Sequence, residues 1–170
     1  VYGLDKTTTE NQIFSKNDIH ALISEETDRD QLIHLLAAEM AKYGMVEPCY
    51  GASVLEREKE FPTGVPTMPV PIAIPHSERS QVYKPGIGVA VLRNSVKFSS
   101  MEDPTCLLNV RVVFMLAASL NDEHLHMIKD VMEIIQDSEV VNALLAAETT
   151  KEIEAIMHQE FAKREQKRGW

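Results

Sequence analysis

Six of the chain's eight prolines fall between residues 62 and 85: Pro62, Pro66, Pro69, Pro71, Pro75 and Pro85. A proline inside a helix removes a hydrogen bond and clashes with the preceding turn, so this span must be extended or turning. The regular elements of the fold therefore have to be arranged around a central irregular stretch. Within it, Val70-Pro71-Ile72-Ala73-Ile74-Pro75-His76 alternates β-branched residues with alanine and proline. That pattern predicts a short strand with one bulky face and one small face. Gly64 in Pro62-Thr63-Gly64 marks a turn ahead of it. Pro75 offers no N–H, so regular pairing is expected to end there, leaving His76 as the first side chain free of the sheet. Taken alone, the spacing fits a strand followed by an ordinary loop histidine.

With 170 residues, 44% hydrophobic and 25% charged, the chain is long enough for one globular domain with a sizeable core. The net charge of −9 argues against nucleic acid or an anionic membrane as the main partner. Cys49 and Cys106 belong to no CxxC pattern, so neither a disulfide framework nor a zinc knuckle is indicated, and both read as packing residues. No apolar run reaches membrane-spanning length and no signal-peptide pattern is present, so a cytoplasmic location is expected.

Residues 1–17 are polar and threonine-rich and read as a loosely held lead-in to a domain over 18–160. Residues 161–170, with Lys163-Arg164 and Lys167-Arg168, read as a solvated basic tail. Ile19 to Ile23 predicts a first strand. Leu32, Leu35, Leu36 and Met40 form a helical stripe ending near Gly44, with His34 off the stripe. A second helix is expected from about Tyr50 to about Glu60. Gly86–Leu92 reads as a buried strand; its Gly86-x-Gly88 lacks the third glycine and following helix of a dinucleotide loop. Leu107–Ala117 is almost wholly apolar, as a central strand covered on both faces would be.

A helix then opens around Ser119–Asp122, with Ser119 or Asn121 as cap and Leu125, Ile128, Val131, Met132 and Ile135 as its stripe. Two more helices follow, one over Ser138–Ala147 and one capped by Thr149 or Thr150 and running through Ile153, Ile156 and Met157. These elements predict an α/β fold: a three-layer α/β/α sandwich with a small mixed sheet flanked by helices.

Helical geometry separates two of the six histidines. At roughly 100° per residue, His124 and His126 point about 200° apart, and His124 lies within about 40° of Ile128, Val131 and Ile135. His124 thus belongs to the buried stripe and His126 to the solvent face. His124 also stands in a first helical turn, where free N–H groups and the dipole favour an anion and a neutral imidazole. The ordinary reading of a histidine on an apolar stripe is a satisfied core residue. His76 ends a strand and His124 begins a helix, so both are expected at one edge of the sheet, where α/β folds collect ligands. Such a pair suits a metal or a phosphoryl group; no third ligand has suitable spacing, which leaves metal the weaker case.

Four segments, Val54-Leu-Glu-Arg-Glu58, Phe61-Pro-Thr-Gly64, Ile72-Ala-Ile-Pro-His76 and Asn121-Asp-Glu-His124, occur in order over the middle half of the chain. Together they resemble the fructose/mannitol-type IIA domains of the phosphoenolpyruvate-dependent sugar phosphotransferase system. Phe-Pro-Thr-Gly and Val113-Phe-Met-Leu-Ala117 look most like the galactitol-specific branch. The resemblance maps the family's active-site histidine onto His76, its supporting histidine onto His124, its helix arginine onto Arg57 and its turn threonine onto Thr63. Ser77 stands where the family pattern has a small residue without a hydroxyl, and Pro69 where glycine or alanine is common.

The resemblance implies that a neutral His76 attacks the phosphorus of an incoming phosphohistidine and later yields the group to a cysteine. His124 would donate to the phosphoryl oxygens, Arg57 would supply positive charge and Thr63 a hydroxyl donor. On the bland reading, Arg57 is a solvated helix residue and Thr63 a turn former. The implied partners are the histidine carrier protein HPr as donor, a IIB component as acceptor and, indirectly, a IIC membrane permease, with no cofactor. A competing expectation is a nitrogen-type regulatory module that acts on partner proteins through the phosphorylation state of His76. A third is a metal-dependent hydrolase using His76 and His124.

Overall fold

The apolar run Leu107–Ala117 occupies the middle of the sheet in the computed structural model, which describes residues 18–118 and 122–169. Side chains at 79, 122–124, 168 and 169 lie outside that description, as do the proposed lead-in and the candidate caps Ser119 and Asn121. In chain order the elements are β1 (Ile19–Ser24), α1 (Arg29–Lys42), α2 (Tyr50–Glu60), β2 (Gly64–Val65) and β3 (Ile72–Ala73). A short 3-10 turn (Arg79–Gln81) precedes β4 (Gly86–Ser99) and β5 (Leu107–Ala117). The helices α3 (Asp122–Ile134), α4 (Ser138–Ala146) and α5 (Thr150–Gly169) follow.

The five strands run in the order β1-β4-β5-β3-β2. β4 and β5 are antiparallel, as are β2 and β3, whereas β1 with β4 and β3 with β5 are parallel. The mixed sheet is covered on both faces, as the run at β5 requires. Ile19, Ile72, Ile74, Ile87, Phe114 and Leu116 belong to the core cluster shared with α3, α4 and α5. Ala73, Ala90, Val113 and Met115 belong to the cluster shared with α1 and α2. Period-2 alternation along each strand thus feeds two cores, giving the expected three layers. Ile72 and Ile74 face one core and Ala73 the other, as the alternation of the proline-rich span predicts.

Gly88 is a packing residue: a Cβ there would lie 2.7 Å from Met40 Sδ, so its absence lets α1 settle on the sheet. β4 is longer than its apolar run because it continues past a register shift between Val91 and Val96, across the polar Arg93-Asn94-Ser95. In α1, Leu35 is 48% exposed and Ile33 is buried; the buried face is two residues wide, and Leu35 lies on its flank. In α3, Leu125 is exposed and Met127 buried, so the stripe is rotated from the expected one. His34 and His126 are exposed, as predicted.

Residues 161–169, read from sequence as a tail, continue α5. Phe161 extends the Ile153–Met157 spacing into the core, and Arg164 bonds the carboxylates of Glu133 and Glu160 at 3.1 and 3.0 Å. Both cysteines are exposed and neither packs the core. Among the described residues no helix is long and apolar enough to cross a membrane.

Candidate active site

His76 is held against the sheet, not released from it. The chain pairs with β5 at Ile72↔Val112 and Ala73↔Val113, and in the same register again at His76↔Leu116. Pro75 cannot donate, but its carbonyl still accepts from the Leu116 N–H at 3.1 Å. Pairing therefore resumes past the proline, because losing an N–H leaves the acceptor intact. The half-buried His76 ring contacts its own chain through Nδ1, 2.9 Å from the Ile74 carbonyl oxygen. A carbonyl only accepts, so in the neutral ring Nδ1 carries the proton and Nε2 keeps a free lone pair.

Helix α2 supplies the surroundings. Tyr50, Val54, Arg57 and Phe61 recur at three- and four-residue intervals, so they share a face. The fully buried Tyr50 hydroxyl donates to the Leu116 carbonyl at 2.7 Å and accepts from the Ser77 N–H at 3.1 Å. Burial pushes its phenol up to about 12, against the opposing Ser77 hydrogen bond and the positive charge of Arg57. Arg57 is half-buried, its guanidinium 5.2 Å from the Phe61 ring centroid, and among the described residues it makes no ion pair. An unneutralised cation held over an aromatic face beside Tyr50 is available to an anion.

Thr63 is buried in the turn before β2. Its N–H and hydroxyl donate to the two carboxylate oxygens of Glu58 at 2.9 and 2.7 Å. Its carbonyl accepts from the Ile74 N–H at 3.3 Å. Glu58 is 2% exposed, and desolvation raises its carboxyl above the usual range despite both Thr63 bonds and the Arg29 charge. With Glu58 ionised, the Thr63 proton is committed to that carboxylate and the residue braces the turn. His124 stands in the first turn of α3; its side chain lies outside the described residues.

Sequence reasoning named His76, Arg57 and Thr63 but passed over Tyr50 and Glu58. Arg57 and Tyr50 are brought together, and Thr63 is tied to the His76 strand through Ile74. The signal for Tyr50 is its place at the head of the helix whose three- and four-residue spacing carries Arg57 and Phe61.

Comparison with known proteins adds to this geometry. The family model "Phosphoenolpyruvate-dependent sugar phosphotransferase system, EIIA 2" matches residues 12–160. The mannitol-specific EIICBA component of Escherichia coli K12 is 27% identical over 128 residues, 74% of this chain but 19% of that much longer protein. The galactitol-specific EIIA component of the same strain is 26% identical over 124 residues, 73% of this chain and 82% of its own length. The structure of enzyme IIAMTL, in complex with phosphorylated enzyme IIBMTL from Escherichia coli, superposes with a TM-score of 0.66. That pair is 25% identical and covers 86% of this chain and 97% of the other. Galactitol and mannitol relatives stand at the same distance, so the galactitol likeness is one among several. The chain belongs to the EIIA type-2 family of the phosphoenolpyruvate-dependent sugar phosphotransferase system, whose members are phosphotransferases acting through a phosphohistidine.

Proposed function

We propose that this chain is the cytoplasmic IIA component of a sugar uptake system, receiving a phosphoryl group from phospho-HPr on His76 and passing it to a cysteine of a IIB component. The observation that carries this reading is the 2.9 Å contact between His76 Nδ1 and the Ile74 carbonyl, which leaves Nε2 as the nucleophile. Nε2 donates its lone pair to the donor's phosphorus as the donor's P–N bond breaks, and the departing imidazole takes that electron pair. In the second step the cysteine thiolate attacks the same phosphorus and His76 leaves as a neutral ring. The transition states are loose and anionic, so fixed positive charge and donors matter more than proton transfer.

Arg57 supplies that charge. His124, near the N-terminus of α3, orients the phosphoryl oxygens. Thr63 acts by holding the turn, since its hydroxyl is bonded to Glu58. The galactitol-like segments support a hexitol-type system.

The test is phosphorylation with phosphoenolpyruvate and the two general carrier proteins, followed by mass measurement. One acid-labile phosphoryl group is expected and should vanish in His76→Ala; normal labelling of that variant overturns the site. His124→Ala and Arg57→Gln should keep the label but acquire it on the order of tenfold or more slowly. Labelling without onward transfer to the cognate IIB component would favour the regulatory role.

A further inference from the structure

We propose that Tyr50 is a positioning residue for transfer at His76, its hydroxyl standing in for the last ladder bond between the nucleophile segment and β5. In a parallel ladder the residues flanking a paired position bond the residue that faces it. His76 faces Leu116. On one side the pattern holds, with the Leu116 N–H donating to the Pro75 carbonyl at 3.1 Å. On the other side the Ser77 N–H should donate to the Leu116 carbonyl. It donates instead to the Tyr50 hydroxyl at 3.1 Å, and that hydroxyl donates to the Leu116 carbonyl at 2.7 Å.

One oxygen from a helix is therefore wedged between two strands. The two bonds in series run through the phenol oxygen, so the placement of the chain against β5 immediately after His76 is set by Tyr50. Pro75 holds the near side of the nucleophile to the sheet while the phenol holds the far side off it. The backbone on both sides of the ring is thus anchored.

Both hydrogen bonds of the hydroxyl go to backbone groups beside the nucleophile pairing, and the ring that carries it is fully buried. Packing alone would be served by phenylalanine. The hydroxyl adds a spacer that a phenylalanine core would lack, and removing it leaves two backbone groups that satisfy each other by closing. Tyr50→Phe should therefore stay folded while the strand zips up by one bond and draws His76 inward. A displacement of this kind lowers the chemical rate on the order of ten- to a hundredfold without changing donor affinity.

This inference rests on phosphorylation at His76, and the experiment separates the two. Single-turnover transfer from phospho-HPr is followed for wild type and Tyr50→Phe as donor concentration varies. In parallel, the scalar coupling across a Ser77 N–H to Leu116 carbonyl hydrogen bond is measured by NMR on both proteins. The expected result is a lower maximal rate at unchanged half-saturation, with the coupling present only in Tyr50→Phe. A wild-type maximal rate in the variant, the coupling already present in wild type, or a variant that fails to fold each overturns the proposal. If wild type takes no label on His76, the proposed function fails instead, while the coupling still decides whether the phenol is a wedge.

Discussion

Helix α2 grips the proline-rich span at both ends, by opposite chemistries. At the entry, the buried carboxylate of Glu58 accepts both donors of Thr63. At the exit, the neutral phenol of Tyr50 relays a bond from Ser77 to Leu116. The entry brace rests on a titratable group whose carboxyl burial raises above the usual range. The exit brace, with its phenol pushed up to about 12, keeps its proton through the neutral range. The end next to His76 is thus insulated from pH through the neutral range, and the end remote from it is not. On the proposed function a site of this kind gains from that order: the hydrogen bonds flanking His76 do not change with proton activity through the neutral range.

The two braces can be told apart by breaking each in turn. Tyr50→Ala removes a buried aromatic ring and should cost about 3–5 kcal/mol in urea unfolding, the largest loss of the set. Glu58→Ala leaves the buried Thr63 N–H without its acceptor and should cost about 1–3 kcal/mol. Thr63→Val keeps the shape and the N–H bond but loses the hydroxyl, for about 1 kcal/mol. It should retain the His76 label at a rate near wild type; a rate drop with unchanged stability would instead give the hydroxyl a direct part in transfer.

The pH test sharpens the comparison further. Glu58 has a folded pKa raised above its unfolded value, so the folded state binds more protons between the two values. The stability contributed by this group is complete below the unfolded value and is lost as pH rises through the folded one. Glu58→Gln keeps an acceptor for the Thr63 N–H and a donor for its hydroxyl. Wild type should therefore lose stability relative to Glu58→Gln as pH rises from the unfolded carboxyl value through the raised folded one, read as the difference in urea midpoints. The corresponding difference between wild type and Tyr50→Phe should stay flat from about pH 5 to about pH 9, since the phenol does not titrate there. Smallest of all, Cys49→Ser should change stability by less than about 0.5 kcal/mol, because the thiol beside Tyr50 is exposed.

Much of the fold could be read from the chain because its signals are local. The bounds of β5 follow from an almost wholly apolar run, and those of α2 agree with its spacing. His76 stood out because prolines fenced it off from any helix. What escaped was non-local. Glu58 sits in Leu55-Glu-Arg-Glu-Lys-Glu60, where nothing marks one acidic residue as buried, since only the turn at Thr63 makes it so. Tyr50 looks like any aromatic at a helix start, and its partners lie far along the sequence in Ser77 and Leu116. Regular pairing does end before Pro75, but the proline's remaining acceptor allows an isolated bridge at His76, so the ring is not free of the sheet. The continuation of β4 through Arg93-Asn94-Ser95 was hidden for a related reason: a register shift lets polar residues bulge outward while the ladder carries on.

The shared register of Ile72, Ala73 and His76 against β5 bears on how such a domain can diversify. Pairing at β3, with the Pro71 carbonyl bonded to Arg111, sets the place of His76 along the sheet, independently of the connection over 66–70. That connection can lengthen, shorten or change composition between descendants without moving His76. A single residue inserted between Ala73 and His76 is a different matter, since it would turn the ring to the opposite face of the sheet. Variation in length can therefore accumulate on one side of Ile72, while the four residues that follow it are held to a fixed length.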